Sequence, residues 1–293
     1  MSDRLVRGLV RDRGLRVACT RVTDNARIAR MLHGCYPTSA ILLAEALAAG
    51  VILGALQKER GRVNLQLECD GPVGGLLVDA DTEGNVRCTL RRPEVHFPGD
   101  AAAGARAALG RSGFVSVIRD LGAGQFYRGS VELPAPDLAE GLRRYFAESE
   151  QVATALDLEV VPRGDEPLGE VAGLLVQRLP DGSEDALQEA RRRLSGGALR
   201  RALERGAGVQ QALCEAVGGD FELLADLEVA YRCGCNRERA RAAVSALGAE
   251  GIREVLAGER QAVITCEFCR QRYRVDEGEL ADMARRLEAQ ESG

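Results

Sequence analysis

The stretch 62–90, "RVNLQLECDGPVGGLLVDADTEGNVRCTL", decides the fold class. In its first eight residues Val63, Leu65, Leu67 and Cys69 recur at every second position, the period of a strand with one buried face. The breaker "DGP" at Asp70 ends that run, "GLLVDA" opens a second, "TEGN" turns the chain again and "VRCTL" makes a third. Short apolar runs joined by turn-forming residues read as an antiparallel meander.

The same reading extends in both directions. Upstream, "LRVACTRVT" from Leu15 alternates at period two, and the stretch from Thr38 to Glu59 reads as a helix after the turn at Tyr36-Pro37. Its apolar run "AILLAEALAAGVILGAL" carries Glu45 and falls short of the roughly 20 uncharged residues of a membrane span, so a buried helix is expected. Downstream, "FVSVIRD", the glycine-rich "LGAGQ" and "FYRGSVEL" predict a second hairpin. An amphipathic helix capped by Asp137 follows, then strands at "ALDLEVV" and "VAGLLVQRL". Together these make an α+β core domain over residues 1–181. After "LPDGSED" the character changes: residues 182–230 favour helix but are punctuated by Gly196-Gly197, Gly206, Gly208 and Gly218-Gly219. Each glycine inside a helix costs about 1 kcal/mol relative to alanine, so this segment reads as a metastable helical linker.

The third segment, 231–293, opens with "YRCGCNRERARAA" and continues to "ITCEFCRQRY". Cys233, Cys235, Cys266 and Cys269 follow C-x-C-x30-C-x2-C: two short chelating turns that a longer loop brings together, as a four-thiolate zinc site requires. Four thiolates leave no open coordination position, and neither histidine, His33 or His96, is near in sequence, so one structural Zn²⁺ and no catalytic residue are expected. The solitary Cys19, Cys35, Cys69, Cys88 and Cys214 read as small core hydrophobes, and "HGCYP" as a turn. Neither "GPVGG" nor "GAGQFYRG" opens a helix after a strand, so neither is a phosphate loop.

Charge narrows the function. The chain carries a net −5, and residues 231–293 hold 11 arginines against 11 acidic residues, which is no basic clamp for nucleic acid. The first twenty residues lack an apolar signal core, which predicts no secretory signal and a reducing, cytoplasmic compartment; there cysteine pairs bind metal or do redox work. Two other classes stay open on the residues alone. A static zinc-bearing nucleic-acid adapter would bind DNA or RNA when reduced, and a thiol–disulfide oxidoreductase would turn over a dithiol, although "CEFC" precedes the strand-like "RQRYRV" and not a helix.

The cysteine pairs in their "YRCGCNRER" setting, with "LQLECDGPVGGLLVDA", "RRYFAESEQ" and "AGLLVQRLP" upstream, resemble the redox-regulated chaperone family of heat shock protein 33, in the same order over roughly residues 5–285. The resemblance implies an ATP-independent cytoplasmic holdase and not an enzyme. In such a protein the zinc-bound reduced form is inactive, and oxidation forms disulfides Cys233–Cys235 and Cys266–Cys269. The oxidised form then releases zinc, dimerises and binds unfolding client proteins under oxidative and heat stress. The energetics are compatible. A structural zinc contributes on the order of 10–16 kcal/mol to folding, whereas a whole domain is stable by only about 5–15 kcal/mol. A unit of some sixty residues is therefore expected to unfold on losing its metal, and the linker to loosen with it and uncover apolar surface.

Overall fold

The meander expected over residues 62–90 is present in the computed structural model as β3 (Arg62–Cys69), β4 (Gly75–Asp81) and β5 (Asn85–Leu90), paired antiparallel in that order. The structure describes residues 2–57, 61–120, 122, 124–133 and 135–291. Two compact units emerge, Met1–Arg232 and Cys233–Gly293.

In the first unit the expected second hairpin is β6 (Gly113–Asp120) and β7 (Phe126–Glu132); Leu121 and Ala123 of its turn lie outside the described residues. These strands join the meander in a sheet of order β11-β5-β4-β3-β6-β7, where β11 (Ala230–Tyr231) is the one parallel partner. A second sheet, of order β10-β1-β2-β9-β8, is wholly antiparallel. It consists of β1 (Arg4–Val10), β2 (Leu15–Arg21), β8 (Thr154–Arg163), β9 (Glu166–Arg178) and β10 (Glu222–Glu228). The helices are α1 (Thr23–His33), α2 (Pro37–Ala55), α3 (Ala101–Leu109), α4 (Leu138–Glu148), α5 (Glu184–Ser195), α6 (Ala198–Glu204) and α7 (Val209–Val217). The carboxylate of Asp137 caps α4 as expected, accepting from the Glu140 amide at 2.8 Å.

Helix α2 lies between the two sheets and is apolar almost all round because all of it but Pro37, Ile41 and Glu45 is buried. It is long and apolar enough to cross a bilayer, but 89% of that stretch is buried inside this fold. It ends at Ala55, short of the expected Glu59: Leu56 and Gln57 form a turn, and residues 58–59 lie outside the described residues. Small residues set the spacing: a Cβ on Gly50 would come within 2.5 Å of Val78, and one on Gly54 within 2.7 Å of the Asp81 carbonyl. Glycine lets β4 and its neighbours close on the helix.

The glycine-punctuated segment forms α5, α6, α7 and the edge strand β10. Its glycines fall at helix ends and not in their interiors: Gly197 (φ +79°) separates α5 from α6, and Gly218 (φ +70°) ends α7. Leu187, Leu194, Leu199, Leu203 and Leu213 of these helices pack on Val6, Val10, Leu15, Val17, Leu174 and Val176, the face of the second sheet opposite α2. A separate core results, one helical layer thick.

The second unit contains α8 (Arg237–Ser245), α9 (Gly248–Ala257), the hairpin β12 (Ala262–Thr265) and β13 (Arg272–Val275), and α10 (Glu277–Glu291). Its buried apolar cluster among the described residues is small: Val244, Ile252, Val275, Leu280, Met283 and Ala284. A core of that size contributes little stability by itself.

Candidate metal centre

One cysteine pair sits on a turn and the other on the extended segment that leads into α8. Cys266 and Cys269 occupy the tip of the β12–β13 hairpin. There the Arg270 amide donates to the Cys266 carbonyl at 2.9 Å, and the Cys266 amide donates to the Gln271 carbonyl at 2.9 Å. The turn closes through Arg270 in the left-handed region (φ +59°). Cys233 and Cys235 lie on the extended lead-in to α8, which begins where the Asn236 side chain accepts from the Arg239 amide at 2.9 Å. Arg237 and Arg241 then reach Glu279 of α10, at 2.6 and 3.4 Å.

These segments bring all four sulfurs within 4.8 Å of one another. The Sγ atoms of Cys233 and Cys266 are 3.6 Å apart, and those of Cys235 and Cys269 3.3 Å. Tetrahedral Zn–S bonds of about 2.3 Å place sulfurs about 3.8 Å apart, so the cluster has the size and the donors of a four-thiolate site. Burial pushes the Cys269 thiol up to about 12, and hydrogen bonding with the other three sulfurs acts in the same direction.

Tyr273 was not visible as part of this site in the sequence, because a tyrosine in "RYRV" reads as ordinary strand filling. Its hydroxyl lies 3.1 Å from Cys235 Sγ. The solitary cysteines are elsewhere: Cys19, Cys35 and Cys88 are buried, and Cys69 and Cys214 half-buried. Burial pushes the Cys19 thiol up to about 12, which suits packing and not reactivity. His33 and His96 are engaged in the first unit, His33 with the Cys88 carbonyl at 2.9 Å and His96 with Thr38 at 3.4 Å.

A family model described as "Hsp33 protein" matches residues 3–276. The 33 kDa chaperonin of Geobacillus sp. (strain WCH70) is 31% identical over 293 residues, covering 99% of each chain. That of Bacillus subtilis (strain 168) is 29% identical over 281 residues, covering 95% of this chain and 97% of the relative. The solved structure of the 33 kDa chaperonin (heat shock protein 33 homolog) of Thermotoga maritima shares the fold with a TM-score of 0.89 at 24% identity, covering 99% of this chain and all of that one. With its family pattern matched over nearly its whole length, this chain belongs to the Hsp33 family.

Proposed function

We propose that this chain is a redox-regulated, ATP-independent chaperone that holds unfolding proteins, with Cys233, Cys235, Cys266 and Cys269 as its switch. The observation that carries the reading is a four-sulfur cluster drawn from two segments 33 residues apart, inside a unit with a very small core. Family membership, and the name "33 kDa chaperonin" carried by the relatives, support a chaperone. Zn²⁺ bound to the four thiolates would supply a tetrahedral link between the two segments and balance half of their charge.

Oxidation converts Cys233–Cys235 and Cys266–Cys269 to disulfides. The four thiolates give up four electrons to two equivalents of a two-electron oxidant such as peroxide, and no thiolate remains to hold a metal. Both new bonds are local to one segment, so neither joins the α8 lead-in to the β12–β13 hairpin. A unit resting on so small a buried apolar cluster then unfolds.

The loss propagates along the chain. Cys233 lies two residues beyond the end of β11: Ala230–Tyr231 pairs with β5, the Tyr231 hydroxyl donates to the Cys88 carbonyl at 3.1 Å, and the Arg232 amide to the Val86 carbonyl at 3.0 Å. One residue upstream of β11 ends β10, whose ion pair Asp226–Arg4 is solvent-exposed and therefore weak. Fraying from 232 back through β11 and β10 reaches α7, α6 and α5. Release of those helices uncovers the apolar face formed by Val6, Val10, Leu15, Val17, Leu174 and Val176. That face is the client platform in this reading, and a second oxidised copy shields part of it as a homodimer. Small-molecule turnover and nucleic-acid binding have no part in it, and the protein works in the cytoplasm.

The test combines light scattering of a heat-unfolding client, metal release followed with a colorimetric chelator, and hydrogen exchange. The expected result is suppression of aggregation after oxidant, reversed by reductant, with exchange protection lost over 184–228 and 233–291. Full activity with protection of both segments unchanged would rule the mechanism out.

A further inference from the structure

Strand β10 is weakly held along its length, but the chain just beyond it is pinned at one point. Among residues 218–232, which run from the end of α7 to the first cysteine of the cluster, Val229 alone is buried, at 3% exposure. It lies between β10 and β11 with both of its backbone groups bonded. Its amide donates to the Asp3 carbonyl at 3.2 Å, and its carbonyl accepts from the Asn25 side chain at 2.9 Å. The residues on either side are closely approached as well: the Ala230 amide donates to the Gly84 carbonyl at 3.0 Å, and a Cβ on Gly84 (φ +85°) would come within 2.4 Å of the Glu228 carbonyl oxygen. The chain at 228–230 is thus held between the β4–β5 turn and the N-terminal residues.

The groups that hold Val229 are themselves fixed. The Asp3 carboxylate accepts from the Asn25 amide and from the Asn25 side chain, each at 2.7 Å, and from Arg21 at 2.8 Å; Arg21 also donates to Glu170 at 2.8 Å. Asp3, Arg21 and Asn25 are all buried. Asp3 thereby satisfies an amide in the first turn of α1, whose own N-cap residue, Val22, makes no side-chain cap. The Asn25 side chain is therefore aimed by contacts that do not involve the segment it holds, and Asp3 and Asn25 keep one another when Val229 leaves. Detaching Val229 breaks two buried hydrogen bonds and exposes an apolar side chain in one step. Going back from Cys233, the half-buried Tyr231 is met first, and Val229 is the last hold before β10.

We propose that Asp3 and Asn25 form a latch on Val229 that halts unravelling from the C-terminal side and so sets the threshold at which β10 and the helices α5–α7 are released. The inference rests on the order of release given under the proposed function: unfolding beyond residue 233 reaches the apolar sheet face only after this contact opens. Asn25 is the positioning residue that holds the segment, and Asp3 fixes Asn25.

The experiment is native-state hydrogen exchange on the full-length reduced protein with Zn²⁺ present, in the parent and in Asn25→Ala, Val229→Ala and Val63→Ala, followed by light scattering of a heat-unfolding client with each oxidised form. Val63 is a buried residue of β3 outside the latch, and its truncation controls for a general loss of stability. Asn25→Ala leaves the buried Val229 carbonyl without its donor and should speed exchange of the amides of 222–231 about tenfold, with those of α5–α7 following. Val229→Ala should act in the same direction by removing buried apolar surface. Val63→Ala should leave these amides at the parental rate, because local opening of the segment does not disturb β3. After oxidation both latch variants should suppress aggregation at a lower temperature than the parent. Parental exchange over 222–231 in both latch variants, or equal acceleration in Val63→Ala, would overturn the latch. Exchange is read on reduced protein and needs no chaperone activity, so an oxidised parent that never suppresses aggregation would sink the proposed function while the latch is still decided by exchange.

Discussion

Activation by the proposed route depends on which sulfurs bond. The cluster permits two outcomes, because sulfur contacts also cross between the two pairs: Cys233 with Cys266 and Cys235 with Cys269, 33 and 34 residues apart in sequence. A crossed bridge closing a loop of about 33 residues lowers the entropy of the unfolded chain enough to stabilise the folded unit by about 3.7 kcal/mol. A bridge within a pair closes about three or four residues and contributes about 1.6–1.9 kcal/mol. The difference, about 2 kcal/mol for the first crossed bond, is set against the loss of a metal link of on the order of 10 kcal/mol or more. Local pairing therefore leaves the unit unfolded, whereas crossed pairing replaces the link with a covalent one in the same place. Peptide mapping of the peroxide-activated protein under non-reducing conditions should find Cys233–Cys235 and Cys266–Cys269. Amides of Val244, Ile252, Val275 and Leu280, the core of that unit, should lose their exchange protection in the same sample. Crossed bridges as the main species in fully active protein, or local bridges in a unit that keeps its protection, would refute the reasoning.

Three further outcomes follow from the geometry. Leu213→Ala, at a fully buried position of α7, should cost the helical layer about 2–5 kcal/mol, so that aggregation suppression appears at lower temperature or with less oxidant; an unchanged threshold in light scattering would count against release of α5–α7 as the switch. Tyr273→Phe removes the hydroxyl 3.1 Å from Cys235 and should weaken metal binding by about tenfold, read by chelator competition under reducing conditions, and equal affinities would deny Tyr273 a part in the site. Glu45 on α2 is pushed up to about 8, first by burial and then by the charges of Asp137, Glu159 and Asp157. The folded state thus holds that proton more tightly than the unfolded state, whose value lies near 4.5; the stability this contributes is complete below that pH and is lost as pH rises through 8. Glu45→Gln should flatten the fall in melting temperature between acidic and alkaline buffer, and an unaltered slope would mean that Glu45 is not the group responsible.

Legibility in the sequence followed burial geometry. The meander could be read because β3 and β5 alternate buried and half-exposed residues, so their period survives in the residue types. The sulfur cluster could be read because thiol spacing is chemistry confined to two short segments. Tyr273 could not, since its contact with Cys235 depends on the β12–β13 hairpin placing it there. Strand β1 was hidden for a different reason: Leu5 and Val6 are both buried, one in each core, because helices cover the sheet on its two faces, and two-sided burial erases the period. Strand β10 was hidden by the opposite condition. None of its residues is fully buried: Leu223 and Leu224 are about half exposed, and only Ala225 and Leu227 are half-buried, so its pattern is weak and its pairing with β1 is its main support. A strand with so little side-chain burial is the element least costly to detach, and it lies between the helices that cover the apolar sheet face and the residues that lead to Cys233. The property that conceals β10 from sequence reading is thus the one the proposed switch requires of it.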